Sequence, residues 1–312
     1  MLNFCESTPL SSIIYHPEQR VSANQIQINY DSFGDTNHPP IVLIMGLATQ
    51  MIYWDRQFCQ LLASQGYWVI RFDNRDIGKS TWLDSLPTPS SLALLTNAVF
   101  RRPLGAAYLL SDMMEDTLGL LDALGIESAH VIGASMGGMI AQELAIHHPQ
   151  RVKSLTSIMS TTGNRKLPKP SASFSLKMLK SPPKESSKAV AYGIQLWRLI
   201  HGEHYPFDQQ KILSLINQAL QRGFNPKGNT RQLAAILDSP DRTIPLGSLR
   251  VPSLVLHGAD DPLVPVACGV ATAKAIPNAK IKIYSGMGHT LPSQLYDEIT
   301  AEILDHIKAT NS

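Results

Sequence analysis

Residues 129–142 read AHVIGASMGGMIAQ, and this stretch decides the fold. A short strand-like run, Ala129–Ile132, leads into Gly133-Ala134-Ser135-Met136-Gly137-Gly138. The helical pattern Met136–His147 follows and stops before Pro149. A Gly-x-Ser-x-Gly at a strand-to-helix junction has a mechanical meaning. The serine sits on a strained turn that lifts its hydroxyl clear of the sheet. Glycines flank it because side chains there would strike the neighbouring strand and helix. The helix N-terminus offers free N–H groups and partial positive charge to a developing oxyanion. The bland alternative is a glycine turn that lets a helix pack closely. The strand–motif–helix context favours Ser135 as a nucleophile.

Working outward, Ile41–Met45 (IVLIM) and Tyr67–Phe72 (YWVIRF) are continuous apolar runs, as expected of strands buried on both faces. Gln25–Tyr30 alternates polar and apolar residues, which predicts a half-exposed strand in a hairpin with Arg20–Ser22. Ile52–Ser64 and Asp112–Leu124 have helical spacing and are closed by Gly66 and Gly125. Beyond the serine, Val152–Met159, Val251–Leu256 and Lys280–Tyr284 read as strands, and Val266–Ala275 and Ser293–Ile307 as helices. This alternation predicts an α/β fold with a mostly parallel sheet wrapped by helices. Two stretches break the rhythm. Leu83–Leu110 has no assigned structure. Asn164–Leu249 shows helical patterns near Ala189–Ile200, Gln209–Arg222 and Thr230–Asp238. The expected organisation is a core of residues 1–162 and 250–312 with a helical cap over 163–249.

The composition, 44% hydrophobic and 17% charged over 312 residues, predicts a sizeable buried core. A net charge of +2 is too mild to suggest nucleic acid or an anionic membrane as partner. Three scattered cysteines, Cys5, Cys59 and Cys268, suggest neither a disulfide framework nor a zinc site. The N-terminus lacks the pattern of a signal peptide, and no apolar run approaches the ~18 residues that span a bilayer. The expected setting is cytoplasmic, as a monomer or homodimer.

A serine hydroxyl needs a base, and the base needs an orienting acid. In this kind of fold they follow the serine, at the carboxyl ends of later strands. His289, in Ser285-Gly286-Met287-Gly288-His289, is the expected base. Asp260 and Asp261 compete for the acid; Asp261 is preferred because Asp-Pro-Leu-Val-Pro begins the turn to the next helix. His147 and His148 end a helix, and His257 precedes a tight turn and reads as structural. His201-Gly202-Glu203-His204 lacks a third ligand, so no metal is expected. The oxyanion donors would be the Met136 amide and the Leu47 amide in Met45-Gly46-Leu47-Ala48-Thr49. The dense loop Arg71–Ser80 reads as a self-paired network that stiffens the rim.

Taken together, IVLIMGL, RFDNRDIGKS, GASMGG, HGADDPLVP and GMGHTLP resemble the α/β-hydrolase superfamily. The resemblance is to the esterase and cofactor-free haloperoxidase branch, especially the aclacinomycin methylesterase-like hydrolases. It covers about residues 25–162 and 250–308. It implies an eight-stranded sheet, Ser135, Asp261 and His289 as triad, and Leu47 and Met136 as oxyanion donors. Many relatives carry His-Gly where this chain has Met45-Gly46; the methylesterase-like branch also carries methionine there.

The expected reaction is hydrolysis of a small-molecule carboxylic ester through an acyl-enzyme, with no cofactor. Perhydrolysis or carbon–carbon hydrolysis on the same triad, and a non-catalytic ligand-binding protein, are the alternatives. Trp197, Leu199, Tyr205, Phe207 and Phe224 are candidate pocket residues, with packing inside the cap as the competing role; Trp197 and Phe207 are put first. Met136, Met159 and Met287 are candidates for the pocket floor, with packing again the alternative.

Overall fold

A computed structural model of the chain describes residues 10–171, Phe174 and residues 186–310. Eight strands form one sheet: β1 (Tyr15–Ala23), β2 (Ile26–Phe33), β3 (Pro40–Ile44), β4 (Trp68–Phe72), β5 (Ala129–Ala134), β6 (Val152–Ile158), β7 (Ser253–Gly258) and β8 (Lys280–Tyr284), in spatial order β1-β2-β4-β3-β5-β6-β7-β8. β1 and β2 form the expected antiparallel hairpin, with Arg20 opposite Asn29. β2 is also antiparallel to β4, and every later pairing is parallel.

The continuous apolar strands are explained by two cores, one on each face. Along β3, Val42 and Ile44 point into one core while Ile41 and Leu43 point into the other. The first core is closed by α3 (Leu110–Ala123) and α4 (Met136–His147). The second is closed by α1 (Arg56–Ala63) and a C-terminal helix, Tyr296–Lys308. Each buried Leu, Ile, Val or Phe contributes roughly 1.5–3 kcal/mol of transfer free energy.

Between α1 and α3 lies α2 (Ser91–Phe100), capped by the Ser90 side chain on the Ala93 amide. Between β6 and β7 the chain forms α5 (Ser186–His201), α6 (Gln209–Arg222), α7 (Pro226–Asp238) and the single turn α8 (Thr243–Leu246). Then come α9 (Val266–Ala275) and α10 (Tyr296–Lys308).

Several expectations need correction. β2 is half-exposed only at its start, where Gln27 faces solvent. Asn29 and Asp31 on its polar side are 2% and 1% exposed, because Asn29 Nδ2 donates to Glu18 Oε2 at 3.2 Å and Asp31 accepts from the Arg71 guanidinium. Ile52–Ser64 is not one helix. Met51–Tyr53 form a 3₁₀ turn, and α1 restarts where the Asp55 carboxylate accepts from the Gln57 amide. Leu83–Leu110, left unassigned by its sequence, contains α2. α7 starts at Pro226 rather than Thr230, with Asn225 as N-cap and proline in the first turn.

Candidate active site

Ser135 joins β5 to α4 with φ 56° and ψ −118°. Side chains avoid this backbone region, so neighbouring groups must hold it. The Ser135 amide donates to Ile158 O at 2.9 Å. Its carbonyl accepts from the Ser160 hydroxyl at 2.8 Å. Two glycines supply the clearance. A Cβ on Gly133 would lie 2.1 Å from the Gly137 carbonyl oxygen, and one on Gly137 would lie 2.0 Å from the Ile44 oxygen. The turn therefore exists only because α4 can press directly onto β5 and β3.

Two further loops converge on this serine from the carboxyl ends of β7 and β8. His289 Nε2 lies 3.0 Å from Ser135 Oγ, and His289 Nδ1 lies 2.6 Å from Asp261 Oδ2. A ring nitrogen facing a carboxylate donates to it, which leaves Nε2 free to accept from the serine hydroxyl. Asp261 Oδ1 accepts from the Leu263 and Val264 amides at 2.9 and 2.7 Å, the turn that Asp-Pro-Leu-Val-Pro builds. Asp260 points to solvent instead. Asp261 and His289 are 6% and 7% exposed, and Ser135 is half-buried. The most accessible member of the trio is Ser135.

Burial alone would raise the Asp261 carboxyl. The His289 imidazole beside it and hydrogen bonds from His257, His289 and the Val264 amide outweigh burial only in combination. Together they hold the pKa at about 2, against an ordinary 3.8. The folded value is the lower one, so this stabilisation is complete above the ordinary value and is lost as pH falls through the folded one. It amounts to about 2 kcal/mol. Asp261→Asn lacks it. We expect urea midpoints of wild type and Asp261→Asn to differ most near neutrality, with the gap closing between about pH 4 and pH 2. A gap of constant size down to pH 2 would contradict the assigned ionisation.

A family model described as the alpha/beta hydrolase fold matches residues 39–293. The chain belongs to the α/β-hydrolase fold family. Among curated relatives, a rhodomycin D methylesterase from a Streptomyces species is 26% identical over 94% of this chain and 99% of its own length. A 2-hydroxy-6-oxononadienedioate/2-hydroxy-6-oxononatrienedioate hydrolase from Paraburkholderia phymatum is 24% identical over 91% of each chain. Among solved structures, a Rhodococcus 2-hydroxy-6-oxo-6-phenylhexa-2,4-dienoate hydrolase superposes with TM-score 0.74 at 19% identity. That match covers 95% of this chain and all of that one. The relatives support an ester-cleaving hydrolase of this fold.

In this α/β hydrolase the loop after β3 lies against Ser135. A Cβ on Gly46 would lie 3.1 Å from Ser135 Cβ. The loop is held by side chains that sequence reasoning did not single out. Asn74 Nδ2 donates to Met45 O at 2.9 Å, and the Ala48 amide donates to Gln232 Oε1 at 3.0 Å. Gln232 also donates to Arg75 O at 2.8 Å. Met136 opens α4, where an amide has no intrahelical acceptor. Leu47, between the two anchored residues, is half-buried.

The Arg71–Ser80 loop is a stiffening network that is self-paired in part, with the Lys79 amide donating to Asp73 Oδ2 at 3.0 Å and the Ser80 hydroxyl to Asp73 O, while its ion pairs reach outside it. Arg71 forks onto Asp31 of β2, and Arg75 onto Asp116 of α3. Asp73 pairs with Arg222 of α6, and Asp76 with Arg231 of α7. The loop thus ties the sheet to the helices of the insertion.

The candidate pocket residues have other neighbours as well. Trp197 stacks on Tyr53, with ring centroids 4.8 Å apart. Phe207 packs edge-on against His201 under the Arg198 guanidinium. The Tyr205 hydroxyl donates to Ser285 O, Leu199 is half-buried and Phe224 is exposed. Met136, Met159 and Met287 are buried in the two cores, the packing role. His257 is fully buried, with Nε2 2.8 Å from Val264 O, and so braces the Asp261 turn. No helix among the described residues is long and apolar enough to cross a membrane.

Proposed function

We propose that this chain is a serine esterase acting on a small-molecule carboxylic ester. Ser135 is the nucleophile, His289 the general base and Asp261 the acid that orients it. The observation that carries the proposal is the relay from Asp261 through His289 to Ser135, at 2.6 and 3.0 Å, on a strained elbow.

His289 takes the serine proton as Oγ attacks the carbonyl carbon. Asp261 holds the imidazole in the required tautomer and stabilises it once charged. The amides of Leu47 and Met136 receive the developing oxyanion. The imidazolium then protonates the leaving alcohol. In the second half, His289 deprotonates water for attack on the acyl-enzyme, which frees the acid and restores the serine. The helices α5 to α8 form the cap over this site, with Trp197 as a wall of the substrate pocket. The buried free thiols of Cys59 and Cys268 fit a reducing, cytoplasmic setting.

Ester cleavage is favoured over carbon–carbon cleavage because the methylesterase aligns over nearly its whole length. The Paraburkholderia relative motivates the second reading. A panel of methyl, short-chain and long-chain esters, run beside a 2-hydroxy-6-oxo dienoate, separates them. Ester turnover that disappears in Ser135→Ala is the expected result. Turnover of the dienoate alone would favour the second reading, and inactivity across the panel would favour a ligand-binding role.

A further inference from the structure

The pair His201 and His204 drew notice in the sequence and was left without a role. His201 is the last residue of α5, and it lies against the loop that carries His289. The final carbonyls of a helix have no intrahelical donors and need partners elsewhere. Here the Ile200 carbonyl accepts from the His289 amide at 2.6 Å, and the His201 carbonyl accepts from the Gly288 amide at 3.2 Å. His201 Nδ1 lies 2.8 Å from Thr290 Oγ1, the side chain following the base. Both side chains are buried, at 7% and 8% exposure.

The fit is close enough to exclude a side chain at two places. A Cβ on Gly288 would lie 2.3 Å from the Ile200 oxygen, and one on Gly286 would lie 2.3 Å from the His204 ring. The Tyr205 hydroxyl adds a bond to Ser285 O at 3.2 Å. Burial pushes the His201 imidazole towards its neutral form. At Nδ1 a neutral ring can accept from the threonine hydroxyl or donate to it, so this contact needs no buried charge.

We propose that the C-terminal end of α5 positions the base, with His201 and Thr290 as positioning residues for His289. This rests on the reading of Ser135, Asp261 and His289 as a triad, and adds a fourth contact set to it. Asp261 fixes the imidazole from one side; α5 fixes the backbone that carries the imidazole. A consequence follows for the helices of the insertion. Displacing α5 withdraws three hydrogen bonds from residues 288–290, so an open insertion has a disarmed base.

The test uses the full chain and p-nitrophenyl acetate. Thr290→Val keeps the shape of the side chain and removes its hydroxyl. It should lower kcat about tenfold with KM within twofold, and Thr290→Ser should return kcat to within threefold of wild type. His201→Asn, which keeps a polar atom near the Nδ1 position, should retain more activity than His201→Leu. Melting temperatures of all four variants identify any that fail to fold; if the threonine pair does, the histidine pair carries the test. Unchanged kcat in folded Thr290→Val, or a loss that Thr290→Ser does not restore, overturns the positioning role. For the histidine pair, equal activity of Asn and Leu variants does so. Ser135→Ala assayed alongside separates the two claims. Activity retained there rejects the triad itself, whereas an inactive Ser135→Ala beside an unimpaired Thr290→Val rejects only the positioning role.

Discussion

Ser135→Ala should abolish ester turnover, lowering kcat on the order of 10⁵-fold or more while leaving the fold intact. The magnitude follows from what the hydroxyl does. Without it there is no covalent intermediate, and His289 has no proton to take at the carbonyl. What remains is substrate placement and the oxyanion donors, which give only a small part of the acceleration. The change removes one oxygen from a half-buried side chain, and the strained elbow is held by backbone bonds that alanine keeps. KM should therefore move little. His289→Ala should cost a similar factor, and the double variant hardly more than either, because the two groups act as one unit. Turnover of a chromogenic ester with purified variants, beside their melting temperatures, measures this. Additive losses would contradict a shared proton relay.

The largest expected stability effect lies away from Ser135. Asp76→Ala should lower the melting temperature by about 10 °C. Asp76 accepts from Arg231 Nε and Nη2 at 2.7 and 2.6 Å, from the Tyr108 hydroxyl at 2.8 Å and from the Leu83 amide at 2.7 Å. Arg231 is fully buried. Taking away the carboxylate leaves a guanidinium in the interior without its main counter-charge, which costs about 3–5 kcal/mol. Replacing both members by apolar residues, Asp76→Leu with Arg231→Met, should be less harmful than Asp76→Ala alone, since no charge is then stranded. α7 also carries Gln232, which receives the Ala48 amide, so residual activity should fall with stability. Thermal melts of the three proteins test this. A shift below about 2 °C for Asp76→Ala would show that the pair contributes little.

What could be read from the sequence, and what could not, divides along a physical line. β3 and β5 are legible because both faces are covered, and a strand in that position must be apolar throughout. The elbow is legible because Gly133 and Gly137 have no room for a Cβ, a demand imposed by local geometry and so written locally. Asp261 and His289 are legible as residues just past the last two strands, where such a sheet opens to its rim. The partners of the Arg71–Ser80 loop are not legible. Asp76 and Arg231 are 155 positions apart, and nothing near either one states that pairing.

The misplaced start of α7 has a different cause. Asn225-Pro226 is a helix-start signal, but Gly228 and Asn229 weaken the helical pattern that follows it. Gly228 is there for close approach: a Cβ would lie 2.3 Å from the Asp76 carbonyl. A tertiary contact thus overrode local propensity. The hairpin strand β2 shows the same effect in another form. Its polar positions alternate as they would towards solvent, yet only Gln27 reaches it: Asn29 donates to Glu18, and Asp31 accepts from the buried Arg71. The role of His201 is legible only in three dimensions, since its carbonyl and ring meet residues about ninety positions away.

The central claim is that Ser135 is activated by His289 in the resting protein. Peptide mapping by mass spectrometry after treatment with a fluorophosphonate tests it most directly. A single adduct is expected on the peptide containing Ser135, absent in Ser135→Ala and strongly slowed in His289→Ala. An adduct on another residue, or labelling of Ser135 at an unchanged rate without His289, would contradict it.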